Sequence, residues 1–170
     1  MKKVVMIIAK KDFRDEELLE PKKILEDNGI EVKVASTVLG EAKGVLGAKV
    51  TTDLLVKDIR VSDFDALVFV GGAGAEQYWD DPLAHKLAQD TLKEPNKILA
   101  AICIGPVILA KAGVLKNKKA TVWPSESGEL KSAGVNYTGS DVEKDGNIIT
   151  ATGPRAAKKF GEEIVRVLKK

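Results

Sequence analysis

The chain has one cysteine, Cys103, in the stretch ILAAICIGPVILAKAG, Ile98 to Gly113, where an apolar strand gives way to a helix. A lone cysteine in an apolar strand ordinarily serves as a small buried hydrophobe. The neighbours of Cys103 point elsewhere: Ala101 stands two residues before it and Gly105 two after it. A nucleophile elbow is a sharp strand-to-helix turn that projects its central side chain, and adjacent backbones pass so close that those two places must be small. The pattern A-x-C-x-G therefore describes a thiol presented for chemistry. Pro106 suits the first position of the following helix. Amides at a helix N-terminus stabilise a thiolate and lower its pKa from about 8.5. The N–H of Ile104, with that of Gly72 or Ala73 in VGGAGAE, is placed to face an oxyanion, the glycines permitting close approach.

Such a turn needs a sheet to carry it. Lys3 to Ala9, KVVMIIA, reads as a short buried strand, and DFRDEELLEPKKILEDNG reads as a helix with Leu18, Leu19, Ile24 and Leu25 on one face. Asn28-Gly29 is its stop, and Pro21 is expected to kink it. EVKVAS, Glu31 to Ser36, alternates like a strand, and a glycine-punctuated section to Val50 reads as a hairpin or small excursion. Ala66 to Gly72 is another strand and Pro82 to Leu92 a helix. The elbow strand KILAAI follows, then the helix GPVILAKAG, the strand ATVW and a polar helix from Glu126 to Ala133. Strands around Asp145-Gly146 and a helix from Arg155 to Leu168 close the chain.

Alternating strands and helices imply a mostly parallel sheet covered on both faces, and right-handed crossovers make it a flavodoxin-like α/β three-layer sandwich, read as one domain over residues 1–170. In that architecture a site forms at the carboxyl ends of the strands. Five loops are expected to converge there: Asp12 to Glu17, Gly71 to Glu76, Cys103 to Gly105, Trp123 to Ser125, and Thr152 to Arg155.

Composition narrows the function classes. Hydrophobic residues make up 44% and charged residues 31% of 170, enough for one well-buried core. No apolar run is long enough to span a bilayer and no signal-peptide pattern opens the chain, so a cytoplasmic protein is expected. The 27 basic and 25 acidic residues are interspersed and aromatics are only 5%, which argues against nucleic-acid binding. One cysteine rules out an internal disulfide and any multi-cysteine metal cluster. No metal-ligand spacing is present, and GGAGAE lacks both the Lys-Ser/Thr of a P-loop and a full dinucleotide fingerprint, so neither metal nor cofactor is expected.

Taken together, KDFRDEELLEP, DALVFVGGAGAE, AAICIGPVILAKAGVLKNKKAT, VEKDGNIITATGP and the closing helix resemble, in order, the ThiJ/PfpI superfamily. That superfamily includes the parkinsonism-associated deglycase, PfpI-type intracellular peptidases and glyoxalase III-type enzymes. The resemblance implies that Cys103 is the elbow nucleophile and that Glu17, four residues before Pro21, hydrogen-bonds its thiol and serves as acid and base. It also implies that Gly72 and Ile104 line the oxyanion pocket. Read alone, Glu17 is an ordinary first-turn acid favoured by the helix dipole.

The chain departs from the peptidase pattern. Ile104 stands where peptidase-like members have histidine directly after the cysteine, and Trp123 where other members have one before the proline. Neither side chain accepts a proton from a thiol. The only histidine, His85, is expected to face solvent or a partner, so no Cys-His dyad is expected. Arg14 stands where relatives often carry an acid and would make the pocket attractive to an anion. The resemblance thus implies a cysteine-dependent enzyme acting on small carbonyls or glycated groups, with a peptidase or a non-enzymatic oxidative-stress sensor or chaperone using oxidisable Cys103 as alternatives. A homo-oligomer is also implied, with Tyr78 and Trp79 in AEQYWDD either at its interface or packed locally.

Overall fold

The computed structural model describes residues 1–170. The strands are β1 (Lys3–Ile7), β2 (Lys11–Phe13), β3 (Glu31–Ser36), β4 (Gly40–Gly44), β5 (Lys49–Thr52), β6 (Leu54–Leu55), β7 (Ala66–Phe69), β8 (Ile98–Ile102), β9 (Lys119–Ala120), β10 (Asn136–Tyr137), β11 (Val142–Asp145) and β12 (Ile148–Ala151). The helices are α1 (Asp15–Asp27), α2 (Pro82–Lys93), α3 (Pro106–Lys111), α4 (Ser127–Ser132) and α5 (Ala157–Leu168).

The main sheet runs β11-β12-β8-β7-β1-β3-β6. Only its β11–β12 edge pair is antiparallel. The chain passes from β1 to β3 on one side, then returns across β1 to β7 on the other. The strand order therefore reverses between β1 and β7, the crevice where flavodoxin-like α/β folds place their sites.

Both faces of the sheet are buried, which explains why its strands are continuously apolar. Val4, Met6 and Ile8 point into a core shared with α1 and α5, while Val5 and Ile7 point into another beneath α2 and α3. Gly161 of α5 lies so close to Pro21 of α1 that an added Cβ would collide with the proline Cα. Helix α1 runs through the buried Pro21 without a break. Proline has no N–H for the carbonyl four residues earlier, which is that of Glu17.

The expected hairpin is present: β4 and β5 pair antiparallel, and β2 adds to β4 as a three-stranded ribbon. The expected strand ATVW is reduced to Lys119–Ala120, which pairs with β10 outside the main sheet. Beyond it the backbone finds other partners. Thr121 N–H donates to Thr150 Oγ1 at 3.0 Å and Trp123 N–H to the Cys103 carbonyl at 2.8 Å, so no ladder continues. The helix expected from Arg155 begins with a 3-10 turn, Pro154–Ala156, before α5. No helix is long and apolar enough to cross a membrane.

Candidate functional site

Cys103 follows β8 with φ of +64°, in the left-handed region that L side chains rarely adopt. Its backbone is fixed on both sides. Cys103 N–H donates to the Ala151 carbonyl at 2.9 Å, and its own carbonyl accepts from Trp123 N–H. That second bond orients the peptide whose N–H belongs to Ile104. A Cβ on Gly105 would meet the carbonyl oxygens of Ile102 and Phe69, each at 2.9 Å, which is why this place after the cysteine is glycine. The strained, small-flanked turn of an elbow is therefore present.

Glu17 lies in the first turn of α1, which the β1–β2 segment brings over the switch point. Arg14 N–H donates to the Gly71 carbonyl at 3.0 Å and ties this segment to the end of β7. A side chain on Gly71 would collide with both the Glu17 carboxyl and the Cys103 Cβ, so the absence of one lets the two groups face each other. Gly72 has φ of +99° and packs against the Asp12–Arg14 backbone. The Gly72 and Ile104 amides both act on the Cys103 sulfur and lower its pKa.

Glu17 is fully buried and neither carboxyl oxygen has a hydrogen-bond partner of good geometry, the thiol and Gly71 backbone being its nearest polar company. Burial pushes its carboxyl up to about 8. Cys103 is 9% exposed. Burial, together with an ionised Glu17, pushes its thiol up to about 12. This is opposite to the lowering expected from a helix terminus, because desolvation outweighs the amides and α3 is only six residues long. The Coulombic push exists only while Glu17 is charged. A carboxyl that keeps its proton at neutral pH offers the sulfur a donor instead, so the two groups titrate as one system.

An open cleft of about 430 Å³ is lined by this pair, and every one of the five expected loops reaches its wall, through Arg14 and Glu17, Gly72 and Ala73, Cys103 and Ile104, Trp123 and Ser125, and Pro154. Three wall residues were not foreseen as site residues: Val45 from the hairpin, Trp79 and Glu126. An adjoining cleft of about 580 Å³ shares Arg14, Trp123 and Pro154 and contains Arg155, Glu20 and Asp141. A further cavity, about 410 Å³, lies at the opposite end of the strands beside Lys2, Asn96 and Asn147 and holds no nucleophile.

The remaining expected residues are placed as follows. Trp123 is 43% exposed, with its indole so close to Gly153 that a Cβ there would collide with the ring. Arg14 is engaged by Glu16 through two hydrogen bonds, at 2.9 and 3.0 Å. That bidentate pair raises the Arg14 pKa and holds Glu16 below the usual carboxylate range, so the guanidinium is not the free anion site that the sequence suggested. His85 does not simply face solvent or a partner. Its Nε2 donates to the Trp79 carbonyl at 2.6 Å, and Trp79 Nε1–H donates to the Ile104 carbonyl at 3.2 Å. Trp79 is thus packed locally, as is Tyr78, whose hydroxyl donates to the Ile8 carbonyl at 2.8 Å.

The sequence and the fold resemble those of known proteins. A Methanocaldococcus jannaschii protein, itself uncharacterized, is 46% identical over 99% of this chain and 83% of its own. A Pyrococcus abyssi protein named as a deglycase is 34% identical over 97% of this chain and 99% of its own. The crystal structure of a ThiJ/PfpI domain protein from Brachyspira murdochii superposes with a TM-score of 0.95 at 37% identity, covering 98% of this chain and 96% of that one. The profile of the DJ-1/PfpI family matches residues 2–167, and with the elbow, the sheet order and these relatives it establishes that the chain belongs to the DJ-1/PfpI family.

Proposed function

We propose that this protein is a cysteine-dependent enzyme acting on reactive carbonyls, of the glyoxalase III or deglycase type, with Cys103 as nucleophile and Glu17 as acid and base. The observation that carries this reading is the buried carboxyl of Glu17, without a hydrogen-bond partner of its own, set against the only thiol at an open cleft. The relative named as a deglycase supports the same class.

For a 2-oxoaldehyde such as methylglyoxal, the reaction starts from the state of the pair in which Glu17 is ionised and the thiol carries the proton: Sγ adds to the aldehyde carbon while that proton passes to Glu17 and on to the new alkoxide oxygen. The Gly72 and Ile104 amides stabilise that oxygen as charge develops. The product is a hemithioacetal and Glu17 is again a carboxylate. It removes the proton from the thiol-bearing carbon, giving an enediolate, and returns it to the neighbouring carbon while the hydroxyl proton on the thiol-bearing carbon passes to the neighbour's oxygen, leaving a thioester. Water hydrolyses the thioester, releasing the 2-hydroxy acid and the free thiol. No external oxidant or reductant is needed, since one carbon is oxidised as its neighbour is reduced. For an early glycation adduct, Sγ displaces the amine at the same carbon and Glu17 protonates the departing nitrogen, so the two substrates share one hemithioacetal.

Peptide hydrolysis is disfavoured because His85 is hydrogen-bonded to the Trp79 carbonyl and does not line the cleft that holds the thiol. The test is conversion of methylglyoxal to lactate by wild type, Cys103→Ser and Glu17→Gln. Turnover lost by at least about a hundredfold in both variants is expected. Full turnover by Cys103→Ser, or none by wild type, would remove the proposal.

A further inference from the structure

The charge on the cleft wall favours one class of carbonyl. Arg14 is the only basic side chain there, and its guanidinium is committed to Glu16. Glu76 and Glu126 also stand on the wall, and no basic side chain forms an ion pair with either. With Glu17 holding its proton, the wall carries two uncompensated negative charges around a single thiol. The adjoining cleft does not reverse this sign, because Arg155 there is accompanied by Glu20 and Asp141.

The geometry points to Glu76 and Glu126 as specificity-determining residues that admit uncharged carbonyls and adducts on basic amines to Cys103 and turn away carbonyls bearing a carboxylate or phosphate. The buried, unpartnered carboxyl of Glu17 beside the sulfur marks this cleft as the place where such a ligand reacts. The choice of substrate rests on the proposed carbonyl chemistry, but the charge filter does not. The same two carboxylates would repel the carboxylate of a 2-hydroxy acid product and so speed its departure. A released amine, protonated in water, would meet no cation on the wall except the paired Arg14.

Because Cys103 is the only cysteine, alkylation reads the filter directly and without turnover. Iodoacetamide and iodoacetate are nearly the same size and differ by one negative charge. Their rate ratio on native protein is compared with that on a small uncharged thiol. An excess preference of about three- to tenfold for iodoacetamide is expected, from two like charges on the wall of the same partly aqueous cleft. The excess is expected to vanish in Glu76→Gln/Glu126→Gln and to shrink in wild type as ionic strength rises from about 0.02 to about 0.5 M. Phenylglyoxal against its para-carboxy analogue should show the same preference in kcat/KM.

A wild-type ratio equal to that of the free thiol overturns the inference, as does an excess that survives both salt and the double substitution. A thiol inert to both reagents overturns it together with the proposed function. Loss of phenylglyoxal turnover with the alkylation preference intact removes the proposed function and leaves the filter standing.

Discussion

At the scale of single residues, the site is defined by a conflict over where one proton sits. Cys103 and Glu17 are both buried, which raises both pKa values, and an ionised Glu17 further raises the cost of the thiolate while the thiol's hydrogen bond eases the carboxylate. The left-handed turn at Cys103 adds strain, on the order of 1–2 kcal/mol for a non-glycine residue. The fold holds it through backbone bonds to Ala151 and Trp123. Two acids coupled this closely lose their protons in separate macroscopic steps belonging to the pair. The rate of Cys103 alkylation against pH is therefore expected to rise in two steps in wild type, with the second opposed by Glu17 once its carboxyl, pushed up to about 8, ionises. Glu17→Gln keeps an amide donor beside the sulfur but cannot become charged, so its profile should collapse to one step and overtake wild type above about pH 8. Single-step profiles in both proteins would mean that the two groups do not interact.

At the scale of elements, one carboxylate fixes the wall that the hairpin contributes. Asp15, at the start of α1 and only 6% exposed, accepts from Leu46 N–H at 2.9 Å and Ala48 N–H at 2.8 Å. Gly44 leaves space for its carboxylate, and Val45 N–H donates to the Phe13 carbonyl at 2.9 Å. The turn between β4 and β5 is thereby held over the cleft, where Val45 forms part of the wall. Asp15→Ala leaves two amides without their acceptor and should lower stability by about 1–3 kcal/mol in urea denaturation. It should also raise KM for methylglyoxal more than it lowers kcat, with Asp15→Asn recovering part of both losses through its remaining oxygen. An unchanged KM would assign Asp15 to stability alone. These relations explain what sequence could and could not reveal. Strand and helix alternation is written in local periodicity, so β1, β3, β7, β8 and the helices are legible, and the sheet order then brings the five loops together. Val45, Trp79 and Glu126 reach the cleft through tertiary contacts that no local pattern encodes. The two-residue β9 was overestimated because Thr121 and Trp123 look like strand residues but bond to β12 and to the elbow.

At the scale of the whole molecule, burying a carboxyl without a hydrogen-bond partner links the proposed chemistry to stability. A carboxyl beside a thiol at a buried helix terminus is expected from sequence to keep its proton near neutrality, and burial does raise Glu17. The Cys103 shift runs opposite to expectation, because its direction depends on how deeply the layers cover it. Unfolding returns Glu17 to the ordinary carboxylate range near 4.5, whereas in the native protein burial raises it to about 8. Between those values the native state binds more protons than the unfolded state, so the free energy of unfolding must fall as pH rises. One such group gives a slope of at most about 1.4 kcal/mol per pH unit. The contribution is full below about pH 4.5, declines through neutrality and levels above about pH 8. The Cys103 thiol, raised from 9 to about 12, extends the decline on the alkaline side. Chemical denaturation between about pH 5 and 9 should show wild type losing stability relative to Glu17→Gln. The difference between the two curves isolates Glu17, because surface ion pairs such as Lys22–Glu26 and Lys86–Asp90 contribute equally to both. Parallel curves would mean that the native carboxyl ionises as it does in the unfolded chain, so that Glu17 would stand as a base throughout the neutral range and hold only the proton it takes from the thiol.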